Sequence, residues 1–441
     1  MKSNVQLWRW GAAALALLVL IGGVVGWKLT QGVSVQRPLA DLPTPTTEPL
    51  APAPTPVPAT ATTVAPAVAA TVIPVTPAAT PVATPAPLPT RVIPPAEPLQ
   101  LPDGFGISVF ATGLANPRMM TLDPDGALVV VERGRQRVVR LPDDDVDGVA
   151  DNVVVLAEGG LEAPSSAAFF PDGALYVGDV RQVVRFFEPN AAGAFQRREV
   201  VISGLPDRQG HSTRTVLFSP DFETLYVSIG SSCNVCREQD SRRATIMRYD
   251  PDGSNGRVWA RGLRNAVGLA IRPGTSELWV TNNGRDGLGD DLPPETIYHV
   301  QEGDDAGWPY CHAGRIVDPD LGAPGACEGV LKPVIELQAH SAPIGLTFYT
   351  GARFPEAYWG DLFVVFRGSW NRSEPTGYKL VHIPLAEDGA PGSVQDFVSG
   401  WLRADGTNWG RPADVITGSD GSLYVSEDQG GVIYRIFYES E

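Results

Sequence analysis

The chain is short of positive charge: 34 Lys and Arg stand against 50 Asp and Glu, a formal net charge of −16. Nucleic acid is thereby excluded as a partner, because phosphate binding needs a basic surface. Any anion that binds must be gripped by a local cluster of cations. Charge of either sign vanishes between Pro49 and Thr90, while 18 of the 41 prolines fall between Pro38 and Pro98. Such a stretch cannot build a core. Amphipathic helices longer than a couple of turns are missing downstream, where residues 101–441 read as short β-type runs between tight turns. That block is long enough to bury a large interior.

Three segments follow from this. Residues 1–30 hold an uncharged run from Gly11 to Trp27, preceded by Lys2 and Arg9. At ~1.5 Å per residue the run reaches ~26 Å, close to the ~30 Å bilayer core. It reads as a signal peptide or as an uncleaved signal anchor, and the anchor is preferred because no small-x-small cleavage site follows. Both readings export the remainder, the anchor tethering it to the membrane by a transmembrane helix. Residues 31–100 form a Pro/Thr/Ala-rich disordered linker, a stalk or a plain spacer. Residues 101–441 form one domain.

Cysteine is scarce as well, with Cys233, Cys236, Cys311 and Cys327 alone. An even number in an exported chain points to two disulfides, 233–236 and 311–327. The Cys233-Asn-Val-Cys236 spacing also suits a redox-active pair. Residue 237 is Arg, not the His of a haem-attachment motif, and no second such pair completes a zinc site.

What the domain does have is repetition. An Asp- or Gly-bearing turn followed by Leu, a bulky residue and Val recurs with its Leu at 128, 175, 225, 278, 362 and 423. A unit of this size cannot bury its apolar faces alone, so the copies pack radially into a six-bladed β-propeller. The wide gap between the fourth and fifth copies predicts an insertion near 303–335. Inner strands are expected to begin at Pro117, Pro164, Thr213, Ala266, Pro343 and Pro412, ringing one channel mouth. Just before these starts stand Asn116, His211, Arg264-Asn265, Ser341-Ala342 and Arg411. A candidate base and two guanidiniums thus converge on one rim, where propellers bind ligands.

Two acidic loops invite a cation. Residues 282–295 concentrate carboxylates and glycines. Asp143, Asp145, Asp147, Gly148 and Asp151 show calcium-loop spacing, with Val154 where the bidentate Glu would stand. A structural calcium site is expected at the second loop.

At GHSTRT (210–215), GLRN (262–265), RDGLGDDLPP (285–294), HSAPIGL (340–346), GSWNRSEPTGYK (368–379) and GRPAD (410–414) the domain closely resembles the glucose/sorbosone dehydrogenase family. Its members are soluble six-bladed propellers using pyrroloquinoline quinone (PQQ) and Ca²⁺, and the sorbosone-dehydrogenase branch is nearest. The resemblance implies oxidation of an aldose or related sugar, with electrons passed to a separate acceptor such as a cytochrome or quinone. It makes His211 the base for the substrate hydroxyl and Arg264 the stabiliser of developing oxygen charge. Asn265 would bond the cofactor, the carbonyls of Gly284 and Arg285 would hold Ca²⁺, and Arg411, with Arg372 or Lys379, would pair with PQQ carboxylates. One departure stands out: the glucose-oxidising branch orients its histidine with an Asp, whereas Gly230 here is followed by Ser231. A calcium-dependent lactonase and a non-enzymatic binding propeller are the alternatives.

Overall fold

The structure, a computed structural model, describes residues 88–207 and 210–439. The apolar run at 11–27 and the linker up to residue 87 lie outside them. Among the described residues no helix is long and apolar enough to cross a membrane. The final part of the linker is tied to the domain: Val109 N–H donates to Ile93 O at 2.7 Å, Gln100 pairs with Ser399, and Ile93 and Leu99 join the core.

Six four-stranded antiparallel sheets make the six blades. Every repeat Leu opens the second strand of its blade, at Leu128, Leu175, Leu225, Leu278, Leu362 and Leu423. The repeated triplet has a packing cause. Alternate residues of a strand point to opposite faces, and these second strands are buried on both. In blade two, Leu175 and Val177 enter the apolar wedge shared with blade one, while Tyr176 enters the wedge shared with blade three. Blade four repeats this with Leu278 and Val280 on one side and Trp279 on the other. Six apolar clusters fill the six wedges in this way.

Inner strands begin at the expected residue in four blades, at Pro117, Ala266, Pro343 and Pro412. In blades two and three they start later, at Ser166 and Val216. In blade two the first bond between the two strands is Ser165 N–H to Gly178 O, at 2.9 Å, so pairing starts beyond Pro164. In blade three the Arg214 guanidinium draws the chain into a turn by bonding the carbonyls of His211, Thr213 and Pro206.

The ring closes by exchange between its ends. Phe105–Ala111 supplies the outermost strand of blade six, beside the last strand, Val432–Tyr438. The insertion is present in blade four, between its third strand and its outermost strand, Ile335–Leu337. It carries a two-stranded ribbon, Cys311–His312 with Ile316–Val317. Both expected disulfides, Cys233–Cys236 and Cys311–Cys327, are formed.

Candidate active site

Inner and second strands are antiparallel, so Pro117 faces Glu132 and Pro412 faces Glu427. Residues before each inner strand and after each second strand therefore meet at one mouth of the channel. Register shifts sit in the first residues of four inner strands, and such bulges re-aim side chains next to sites.

His211 stands at this mouth, held by its neighbours' backbone. Its N–H donates to Ser231 O at 3.0 Å. Gly210 has φ +67°, and a Cβ there would lie 2.4 Å from Ser231 O, so only glycine fits. The His211 Nδ1 is 3.1 Å from both Ser231 O and Ser231 Oγ. Burial, reinforced by the Arg264 charge, lowers the imidazole pKa to about 3, so the ring is neutral at physiological pH. Gly230 leaves it room: a Cβ at that position would meet His211 Cβ at 2.6 Å and Asn265 Oδ1 at 2.7 Å. His211 and Asn265 thus flank one glycine.

Arg264 is nearly buried, and burial lowers its pKa despite the attraction of Asp286. Its Nε donates to Asn234 O at 3.0 Å, and one terminal nitrogen bonds Asn234 Oδ1 at 3.0 Å and Asp286 Oδ2 at 3.2 Å. Asn265 Nδ2 donates to Asn283 Oδ1 at 3.1 Å, and Asn283 in turn donates to Pro343 O at 2.7 Å.

Across the channel, three guanidiniums share one buried carboxylate. Arg118 and Arg367 reach Asp428 Oδ2 at 2.9 and 2.7 Å, and Arg411 Nε reaches Oδ1 at 2.7 Å. Burial alone would raise the Asp428 carboxyl, but Arg367, Arg118 and Arg411 together hold it below the usual range. Arg133 adds a fourth cation near Arg367. Its partners are neutral: Ala163 O, Ser165 Oγ at 2.9 Å and Ser212 Oγ at 2.9 Å, the last beside His211. Burial and Arg118 lower Arg367 to about 10, and Arg118 Nε is buried with no hydrogen-bond partner. Four cations set against one carboxylate leave this side of the mouth with a surplus of positive charge, the kind of surface that pairs with carboxylates.

Sequence reasoning found Arg411 but missed Arg118, Arg133 and Arg367. A signal for two of them existed. Five residues past the repeat Leu lie Arg133, Gly230, Asn283, Arg367 and Asp428, each following its second strand at this mouth.

The other expected cofactor residues sit elsewhere. Lys379 opens the third strand of blade five, and its ammonium is committed to Asp396 on the outermost strand at 2.6 Å. Arg372 ties its own loop to the 285–294 loop through Asp290 O and Asp291 at 3.1 Å. Gly284 N–H donates to buried Glu295 at 2.5 Å, and burial pushes that carboxyl up to about 7. The Arg285 side chain turns to Asp318 and to Asp320. In the other loop Asp143, Asp145 and Asp151 bring oxygens within 4.8 Å of one another. Asp147 does not join them; it accepts from Val149 N–H at 2.8 Å and faces Arg91 at 3.7 Å.

Fold and mouth define a six-bladed propeller with a neutral imidazole and a cluster of arginines at one end of its channel. The chain belongs to the TrAA12-like family, whose sequence profile matches residues 99–306 and 323–439. The break in the match falls within the blade-four insertion. The resemblance to PQQ-dependent soluble sugar dehydrogenases is thereby borne out. A Borreliella burgdorferi protein described as uncharacterized is 29% identical over 77% of this chain and 91% of its own length. The pyrroloquinoline quinone-dependent pyranose dehydrogenase of Coprinopsis cinerea is 26% identical over 78% of this chain, which spans 55% of that enzyme's length. The solved PQQ domain of the Coprinopsis cinerea pyranose dehydrogenase superposes with a TM-score of 0.67 at 23% identity, over 78% of this chain and 98% of that domain.

Proposed function

We propose that this protein oxidises an aldose or related sugar with PQQ held in the cation-lined mouth. The observation that carries the reading is the three guanidiniums of Arg118, Arg367 and Arg411 on one carboxylate, Asp428, with Arg133 as a further cation near Arg367. A tricarboxylate supplies the charge this cluster lacks. A lactonase would instead use acid and amide side chains around a central metal, and would have little use for such a cluster. When bound, the quinone supplies a hydride acceptor, and Ca²⁺ at the Gly284 and Arg285 carbonyls would supply polarisation.

The remaining chemistry belongs to the chain. His211, neutral with its Nδ1 engaged, offers the other ring nitrogen to the sugar hydroxyl and takes its proton. Arg264, held on Asn234 and Asp286, presents positive charge where oxygen charge develops. Asn265 is placed to bond the cofactor from beside Gly230. A structural Ca²⁺ would take Asp143, Asp145 and Asp151. Electrons leave to a separate acceptor such as a cytochrome or quinone, as the family resemblance implies. The two disulfides support an extracytoplasmic place for the domain; a tether would come from the apolar run at residues 11–27.

Titrating the full chain with PQQ and Ca²⁺ and following dye reduction across a panel of sugars tests the reading. Uptake with turnover, and uptake without turnover for His211→Ala, are the expected results. Failure of the chain to take up PQQ would overturn it.

A further inference from the structure

The two proposed catalytic groups come from different blades, yet both hang on two adjacent residues inside one small ring. On the His211 side, Ser231 Oγ donates its proton to Cys233 O at 2.6 Å. Its lone pairs are then left to accept, and Ser231 O beside it is an acceptor by nature. Both lie 3.1 Å from His211 Nδ1. Two acceptors facing Nδ1 require the proton there, which leaves the lone pair on Nε2, where a base needs it.

On the Arg264 side, Asn234 engages its backbone oxygen and both polar atoms of its side chain. Its backbone oxygen accepts from Arg264 Nε at 3.0 Å and from Trp308 Nε1 at 3.2 Å. Its Oδ1 accepts from the Arg264 terminal nitrogen at 3.0 Å and from Asp286 N–H at 2.8 Å. Its Nδ2 donates to Asp286 O at 3.0 Å. Arg264 is therefore aimed by Asn234 directly and again through Asp286. Cys233 and Asn234 both lie within the ring closed by the Cys233–Cys236 disulfide, and Glu238 clamps the flank by accepting from Ser232 N–H and Oγ at 2.6 and 2.7 Å.

We propose that the Cys233–Cys236 loop is a single positioning element for the reaction: through Cys233 O and Ser231 it sets the His211 tautomer, and through Asn234 it aims Arg264. Ser231 and Asn234 are thus positioning residues, and the disulfide acts through them. The inference rests on the reading of His211 as base and Arg264 as charge stabiliser.

The test uses the full-length protein with ¹⁵N-labelled histidine rings, of which there are five. Nitrogen shifts of the cofactor-free chain report each tautomer without any turnover. His211 should appear as the Nδ1–H form alone. Ser231→Ala and the double variant Cys233→Ser/Cys236→Ser should show a mixture of tautomers. Asn234→Ala should leave the tautomer unchanged and, in the PQQ-loaded protein, lower kcat about 10- to 100-fold while sugar KM moves less than about threefold. If Cys233→Ser/Cys236→Ser fails to fold, Ser231→Ala and Asn234→Ala still decide the matter. An Nε2–H tautomer in the unaltered protein, or an unchanged tautomer in Ser231→Ala, overturns the His211 arm. Full kcat in Asn234→Ala overturns the Arg264 arm. A protein that takes up no PQQ defeats the function proposed above, and with it the Arg264 arm, whereas the tautomer shifts, read without cofactor, still decide the His211 arm.

Discussion

Asp428→Asn separates charge from shape at the heart of the mouth. The carboxylate is fully buried and takes Arg118, Arg367 and Arg411 within 2.9 Å. Asparagine keeps the size and one acceptor oxygen but removes the only negative charge among these groups. Leaving buried charges without their partner costs about 3–5 kcal/mol. At ~2.1 cal/mol/K of unfolding entropy per residue, that lowers the melting temperature of a domain of this length by about 5 °C. The bound tricarboxylate then matters more, because the cluster lacks one further negative charge. Calorimetry of the cofactor-free chain should show the loss, and a larger upward shift on adding PQQ than the unaltered protein gives. A cofactor-free variant melting within about 1 °C of the unaltered protein would refute the reasoning, since Asp428 could not then be the counter-charge that holds the arginines together.

Other perturbations read other parts of the structure. Gly230→Ala puts a methyl 2.6 Å from His211 Cβ, so kcat should fall about 100-fold and the overpacking should cost about 1–3 kcal/mol of stability; steady-state kinetics and denaturant unfolding check this. The pH–rate profile should show no acid limb near the ordinary imidazole value, because burial and Arg264 lower His211 to about 3; Arg264→Gln should move that limb to higher pH. Asp414 is buried with its carboxyl pushed up to about 7, so the folded state keeps a proton that the unfolded chain loses near pH ~4. Stability should therefore fall as pH rises from about 4 to about 7, and Asp414→Asn should remove up to about 4 kcal/mol of that fall in urea titrations. Replacing Cys311 and Cys327 by Ser opens a loop closed over a separation of 16 residues, which should cost about 3 kcal/mol by denaturant unfolding.

The sequence disclosed the blades more fully than the mouth, and the reason lies in what each position has to satisfy. Leu175, Tyr176 and Val177 answer to two apolar wedges at once, and so do Leu423, Tyr424 and Val425, so one short text recurs in every blade. Mouth residues answer to a ligand that touches each blade differently. Counting five on from the repeat Leu gives arginine in blades one and five, glycine in three, asparagine in four and aspartate in six. No pattern of hydrophobicity marks such a set, and only the strand register shows that its members share a rim. His211, Arg264 and Arg411 were legible because they come shortly before inner strands whose places the repeat sets, even where, as in blade three, the strand itself starts a few residues later. Lys379 was carried by resemblance alone, and its strand directs it to Asp396. Arg118 had no such marker: it is the second residue of an inner strand that otherwise reads as apolar, and its meaning comes from Asp428, 310 residues away.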